Sequence, residues 1–144
     1  MADYAKAAFD LKARLNAKAK RKADLSAFFE AVRSNIRKEV EKANTELSGN
    51  GAPTIDIRQE SPEEPTMELA CGNAICKISQ DRSAPSIGAV VAGEAGEKTV
   101  TFILLDKESP VTAQRVSLAP ANEEKVGPLE IASTFVEELI VGAP

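Results

Sequence analysis

The hydrophobic and polar positions along the chain change their period twice. Up to residue 48, apolar residues recur every three or four positions, as they do on one face of an α-helix. From residue 52 to about residue 118 they tend to alternate with polar neighbours, and from about Pro128 the helical period returns. This order predicts an α+β fold with a long or broken N-terminal helix, a six-stranded antiparallel meander sheet and a C-terminal amphipathic helix packed on the sheet.

The N-terminal helix begins at a suitable cap, Asp3, and meets no Gly or Pro before Gly49. The first part of its apolar stripe, which we call the seam, has spacings of four, three and four residues. The seam consists of Tyr4, Ala8, Leu11 and Leu15. The second part continues the pattern with Leu25, Phe29, Val32, Ile36, Ala43 and Leu47.

Lysines interrupt the stripe between its two parts. Lys18 and Lys22 occupy stripe positions, and Asp24 offers a second N-cap. Either two helices meet near residues 17–24, or one helix has an unburied middle. An unbroken helix of about 45 residues would be about 68 Å long, whereas a compact chain of this size has a radius of gyration of about 15 Å. A continuous helix would therefore project and require a partner, most simply a second copy, whereas a broken helix would fold back.

The clearest strand signal is a hairpin from Met67 to Ile78 around a two-residue turn, Gly72-Asn73. Its register places Met67, Leu69, Cys71, Ala74, Cys76 and Ile78 on one apolar face. The same register pairs Glu68 with Lys77 on the other face, and a slip of one residue would destroy both features.

The remaining elements follow from the same alternation. Ile55 and Ile57 predict a strand before the first hairpin. A second hairpin is predicted from strands Ser86–Ala92 and Lys98–Leu105, joined by residues 93–97, and a last strand is predicted at Val111–Leu118. The end of Lys98–Leu105 is apolar on both faces, which is typical of a central strand. The C-terminal helix is predicted at Pro128–Val141.

Composition removes several classes of activity. The chain has no histidine, the commonest general base and zinc ligand, and only 4% aromatic residues. Its cysteines, Cys71 and Cys76, have neither the redox nor the zinc spacing, so we expect both to be buried and reduced. Residues 93–99 resemble a phosphate loop only superficially, since Glu97 stands where that loop has lysine. We expect no cofactor and no metal, and we favour the interpretation that the protein is not an enzyme.

Other charged residues are candidates for catalytic or anion-binding groups. The adjacent pairs Glu63-Glu64, Glu123-Glu124 and Glu137-Glu138 are better explained as solvated surface than as acid–base catalysts. Three arginines in or beside strands are candidates for binding an anion if the fold brings them together. They are Arg58, Arg82 and Arg115.

The charge of −4 is unevenly distributed. Residues 1–48 carry a net charge of +4, and residues 49–144 carry −8. The basic run Lys18–Lys22 offers Lys18, Lys20, Arg21 and Lys22 as candidate anion-binding residues. The acidic total and the lack of interleaved aromatic residues argue against nucleic acid. A solvated helix face, or pairing with the acidic part of a neighbouring copy, is the preferred interpretation.

These observations predict an N-terminal helical arm, residues 1–48, and a sheet with its C-terminal helix, residues 52–144, within one structural domain. The absence of an apolar leader or a long apolar run predicts a cytoplasmic, soluble protein that does not associate with membranes. We hypothesise a non-catalytic interaction module that self-associates, as a dimer, through the seam, with a further protein partner left open. The alternatives are a small-ligand binder or enzyme with a pocket between sheet and helices, and a nucleic-acid-associated protein that uses the basic run.

Overall fold

The computed structural model describes residues 3–61, 65–81, 85–94, 96–105, 111–116 and 125–143. Two helices and six strands follow one another in the predicted order. They are α1 (Tyr4–Gly49), β1 (Ile55–Ser61), β2 (Thr66–Cys71), β3 (Ala74–Asp81), β4 (Ser86–Gly93), β5 (Gly96–Leu105), β6 (Thr112–Arg115) and α2 (Pro128–Gly142). The fold is therefore α+β, as the hydrophobic pattern predicts.

Helix α1 is continuous over 46 residues, so the two-helix alternative is wrong. The side chain of Asp3 caps it by accepting a hydrogen bond of 3.1 Å from the backbone N–H of Lys6. Alanine, lysine, arginine and leucine make up most of residues 4–23, and these residue types have high intrinsic helix propensity. The first turns can therefore remain helical without packing against anything, and Asp24 starts no second helix.

The six strands form one antiparallel meander in sequence order, β1 to β6. The first hairpin has the predicted register, with Met67 opposite Ile78 and Glu68 opposite Lys77. Gly72 adopts a φ of 59° in its turn, a left-handed conformation that favours glycine. The alternation that predicted the strands therefore also fixed their pairing here.

Three details of the predicted sheet differ. The second hairpin is tighter, because β4 and β5 pair as far as Gly93 and Gly96. Strand β6 covers only residues 112–115, and residues 117 and 118 of the predicted strand lie outside the described part. Strand β5 lies between two neighbours but is buried on one face only, since Ile103 is 51% exposed.

Both helices lie on the same face of the sheet. Helix α2 lies over β2, β3 and β4, while α1 packs along α2 and over β1. The two helices run in the same direction, because α1 passes from Gln80 towards Ile55 and α2 ends beside Gly93. A Cβ atom on Gly93 would lie 2.2 Å from the carbonyl oxygen of Gly142, so this close approach requires glycine.

The core lies between the helices and the inner face of the sheet. Phe135 of α2 is fully buried and meets Phe102 of β5 edge to face, with ring centroids 5.7 Å apart. Helix α1 contributes Leu25, Phe28, Phe29, Val32, Ile36 and Val40. The second half of α1 thus packs against its own chain. Among the described helices, none is long and apolar enough to cross a membrane.

Candidate interaction surface on the N-terminal helix

The first half of α1 extends beyond the rest of the molecule. Every residue from Asp3 to Ala23 is exposed, and we call this stretch the projecting segment. The first buried residue is Leu25, which is 3% exposed. At a rise of about 1.5 Å per residue, the projecting segment is about 30 Å long. The change from exposure to burial comes some 23 residues before the predicted boundary at residue 48, and the two-part division at that boundary stays a prediction.

The seam lies along this projecting segment. Leu11 and Leu15 are 50% and 57% exposed, and Tyr4 is 81% exposed. Ala8, between them, is exposed as well. Spacings of four, three and four keep all four side chains on one face of a straight helix. The structure therefore presents the predicted interaction residues as one uncovered row.

The row of the seam continues into the core. Lys18 and Lys22 follow Leu15 at spacings of three and four, and Leu25 and Phe29 follow them in the same way. The seam and the core-facing stripe of α1 are consequently one stripe. Its C-terminal part is covered by the sheet and α2, whereas its N-terminal part has no such cover.

The basic run lies between these two parts. Lys18 and Lys22 are in line with the seam, Arg21 lies on one flank, Lys20 lies on roughly the opposite side of the helix, and all four are exposed. The projecting segment carries seven basic and two acidic side chains, a net charge of +5. The helix thus places Lys18, Arg21 and Lys22 within an arc of about 100° and separates Lys20 from them.

Two buried polar side chains hold α1 where it joins the sheet. Gln80 donates a hydrogen bond of 3.1 Å from Nε2 to the carbonyl oxygen of Leu25. Arg33 is 3% exposed, donates from Nη2 to the carbonyl oxygen of Thr66 at 3.3 Å, and lies 4.8 Å from the ring centroid of Phe29. Sequence reasoning missed both residues. Extending the alternation of β3 by one step beyond Ile78 would have placed Gln80 on the inner face.

A carboxylate on β1 completes this anchor. Glu60 forms an ion pair with Arg37 and lies 3.8 Å from Nη1 of Arg33, which is also 3.3 Å from Glu30. The hydrogen bond from Arg37, followed by the charges of Arg37 and Arg33, outweighs burial and lowers the pKa of Glu60. A register shift between Ile57 and Gln59 turns Glu60 towards α1. The projecting segment therefore emerges from a fixed, charged base.

The two cysteines are structural, as their side-chain environment indicates. Both are buried and free, and they lie diagonally across the first hairpin, with Cys71 opposite Ala74 and Cys76 opposite Leu69. Burial raises the pKa of Cys76 to about 12 and, with a smaller contribution from Asp56, also raises the pKa of Cys71. Neither thiol has the low pKa that a nucleophile requires.

Of the candidate arginines, the two that the structure describes do not form one site. Arg58 and Arg115 lie on β1 and β6, the opposite edges of the sheet, and Arg82 is outside the described residues. The carboxylate of Glu138 accepts a hydrogen bond of 2.7 Å from Nζ of Lys98. Its other oxygen lies 3.7 Å from Nη2 of Arg115. The pairs Glu63-Glu64 and Glu123-Glu124 also lie outside the described residues, as does Ala95 within residues 93–99, whose described part is a hairpin.

Described residues line clefts outside the buried core. One of about 460 Å³ lies on the sheet beside Glu68, Lys77 and Val90, on the face away from the helices. Another, of about 270 Å³, lies between the β4–β5 hairpin and the end of α2. Within the described ranges, no group of three or more Cys, Asp or Glu side chains is placed to hold a metal ion.

Comparison with known proteins gives no further guide to this surface, since no protein-family model, curated protein or solved structure matches the chain.

Proposed function

We propose that the protein is a non-catalytic interaction module that self-associates as a dimer through the seam of its projecting segment. The observation that supports this proposal is the single apolar stripe of α1. Its second part is buried by the chain itself, and its first part displays Tyr4, Leu11 and Leu15 to solvent. A narrow apolar row with charged flanks is the pattern that helix–helix pairing uses.

The size of the seam sets the strength of this association. Burying the remaining surface of a half-exposed leucine contributes roughly 1 kcal/mol to the free energy of association. Burying that of a largely exposed tyrosine contributes roughly 2 kcal/mol. Two copies of Leu11, Leu15 and Tyr4 therefore gain roughly 8 kcal/mol before the entropic cost of association. The dissociation constant is then no tighter than about 1 µM. Pairing at this strength is reversible and depends on protein concentration.

Charge gives self-association a characteristic salt dependence. Each projecting segment carries a net charge of +5, so two paired segments repel each other. Added salt screens this repulsion, since the Debye length falls from about 30 Å at 0.01 M to about 3 Å at 1 M ionic strength. Seam pairing therefore strengthens with salt. Pairing of the basic run with an acidic neighbour would weaken with salt.

The exposed basic run also supports a second candidate function, the binding of an anionic polymer such as nucleic acid. Lys18, Lys20, Arg21 and Lys22 provide the charge for it. Its signature is the opposite salt dependence, a steep loss of affinity as salt rises. Fluorescence anisotropy with a labelled single-stranded oligonucleotide at two salt concentrations measures this loss directly.

The ligand-binding alternative has less support. The buried core between sheet and helices consists of apolar side chains, with Arg33 and Gln80 as the buried polar ones among the described residues. The cleft of about 270 Å³ lies at the edge of this core, between the β4–β5 hairpin and the end of α2. Arg33 points its guanidinium at Thr66 and at the carboxylates of Glu30 and Glu60. These groups serve the packing of α1 on the sheet. A pocket between sheet and helices stays a prediction.

The proposal is tested by sedimentation equilibrium of the wild-type chain and of the Leu11→Glu/Leu15→Glu double variant. We expect the wild type to associate as its concentration approaches about 1 mM, because an association cost of about 4 kcal/mol leaves about 4 of the roughly 8 kcal/mol gained. The double variant should remain monomeric throughout, because two carboxylates on each seam cannot be buried without partners.

The matched control is Ile103→Glu, on the outer face of the sheet. Ile103 is 51% exposed, close to the 50% of Leu11, so it tests whether any exposed apolar residue drives association. We expect this variant to associate like the wild type. The proposal is contradicted if the wild type stays monomeric at about 1 mM. It is also contradicted if Ile103→Glu abolishes association while the Leu11→Glu/Leu15→Glu variant still associates.

A further inference from the structure

We infer that the two projecting segments pair in an antiparallel orientation, with Tyr4 of each copy opposite Leu15 of the other and Ala8 opposite Leu11. This inference rests on the proposed self-association and specifies its geometry. The second copy is therefore the occupant of the seam, and it contributes the same four residues.

The spacing of the seam residues carries the first part of the argument. Four, three and four reads the same in both directions, so reversing one helix brings all four positions back into register. Every layer of the antiparallel pair is then apolar. Ala8, the smallest side chain of the row, faces Leu11, and alternation of small and large residues lets facing helices approach closely.

The lysines that follow the seam carry the second part. A parallel pair extends the contact past Leu15, so Lys18 faces Lys18 and Lys22 faces Lys22 of the other copy. An antiparallel pair centred between Ala8 and Leu11 ends before this point. Lys18 and Lys22 then lie beyond the row of paired seam residues, where their ammonium groups remain solvated.

Distances decide the electrostatic comparison. In a parallel pair the two basic runs lie side by side at the interaxial distance of about 8–10 Å, near the Debye length of about 8 Å in physiological salt. In the antiparallel pair, Lys20 of one copy and Lys20 of the other are offset by 21 residues along the axis, or about 32 Å. Repulsion between the runs is largely screened at that distance.

The position of the folded body agrees with this orientation. The buried part of α1 begins at Leu25, at one end of the projecting segment. Parallel pairing would bring two bodies together at that end, beside the facing lysines. Antiparallel pairing places one body at each end of the paired helices.

The test measures spin–spin distances in full-length protein labelled at one engineered cysteine, Asp10→Cys or Lys20→Cys. Both positions are exposed and lie off the row of seam residues, whereas the native Cys71 and Cys76 are buried and remain unlabelled under native conditions. Pulsed dipolar measurements are made at a concentration at which the mass of the sample shows dimers.

Antiparallel pairing predicts a short distance at position 10, roughly 25 Å or less, because that residue lies at the axial level of the two-fold axis, on the outer side of its helix. It predicts a distance of about 30 Å or more at position 20. Short distances at both positions indicate a parallel pair and overturn the inference while self-association stands. A dimer with no short distance at position 10 pairs through another surface, which overturns both the antiparallel orientation and pairing through the seam. A sample that stays monomeric overturns the proposed self-association.

Discussion

Gln80 on β3 and Leu25 on α1 are joined by a hydrogen bond of 3.1 Å from the Gln80 side-chain amide to the Leu25 carbonyl oxygen. Leu25 is the residue at which α1 enters the core, and residues 3–23 before it are exposed. The bond therefore fixes the point at which the projecting segment leaves the body.

Replacing Gln80 with alanine tests this anchor. We expect the Gln80→Ala variant to lose about 1 kcal/mol of unfolding free energy and to show faster amide hydrogen exchange around Leu25. The matched control is Gln59→Ala, because Gln59 is an exposed glutamine on β1. If both variants leave exchange around Leu25 unchanged, the bond does not fix the base of the projecting segment.

The core prediction concerns Phe135, which is fully buried and packed on Phe102. We expect Phe135→Ala to lower the unfolding free energy by about 3–5 kcal/mol, since it removes buried surface and leaves a cavity. Urea denaturation measures the change. Leu129→Ala, on the same helix but 48% exposed, should change it by about 0.5 kcal/mol or less. Equal effects of the two variants would contradict the described packing of α2.

Acid should weaken the anchor at Glu60. Arg37 holds the pKa of Glu60 below its ordinary value, so the unfolded chain takes up this proton at a higher pH than the folded chain. The stabilisation is present above the ordinary pKa of about 4.3 and is lost as the pH falls through the lower folded value. We expect unfolding free energy to fall below about pH 5 and this fall to be smaller in Glu60→Gln.

Glu41→Gln is the control for this pH profile, since Glu41 is an exposed carboxylate of α1, the helix that carries Arg37. Its profile should follow that of the wild type. A Glu60→Gln variant with the wild-type pH profile would show that the Arg37–Glu60 pair contributes nothing to stability in acid.

The two thiols should be unreactive in the folded protein. With a pKa of about 12, Cys76 holds only about one part in 10⁴ of thiolate at pH 8, and its side chain is buried. Cys71 is buried as well and also has a raised pKa. We expect neither thiol to react with an aromatic disulfide reagent at pH 8, and both to react after denaturation in urea. Rapid reaction of the native protein would contradict the placement of these residues on the inner face.

The sheet was largely predictable because alternation and turn chemistry act locally. In the first hairpin, the Gly72-Asn73 turn and the apolar face of Cys71 and Cys76 allow one register, and the structure has that register. The exposure of Ile103 was not predictable in the same way. An apolar run does not disclose whether one or two layers cover a sheet, and here the helices lie on one face only.

The continuity of α1 illustrates a second limit. Its periodicity predicted a helix and a stripe, but helical period alone does not reveal where packing stops, so the break near Lys18 and Lys22 stayed open. Hydrophobic periodicity does not predict the burial of Arg33 and Gln80, because it identifies only the apolar positions of a core. Their partners, Thr66 and Leu25, are distant in sequence and are brought together only by the fold.

The mass of the wild-type, nuclease-treated chain by light scattering at low and high salt tests the central claim most directly. At about 0.5 mM protein, within the range expected for the seam, the mass should rise above that of the monomer, 15.3 kDa, towards twice that value, and more so at high salt. A mass of 15.3 kDa at both salt concentrations would contradict self-association through the projecting segment. A larger mass that disappears at high salt would also contradict pairing through the seam, and would indicate contacts between opposite charges.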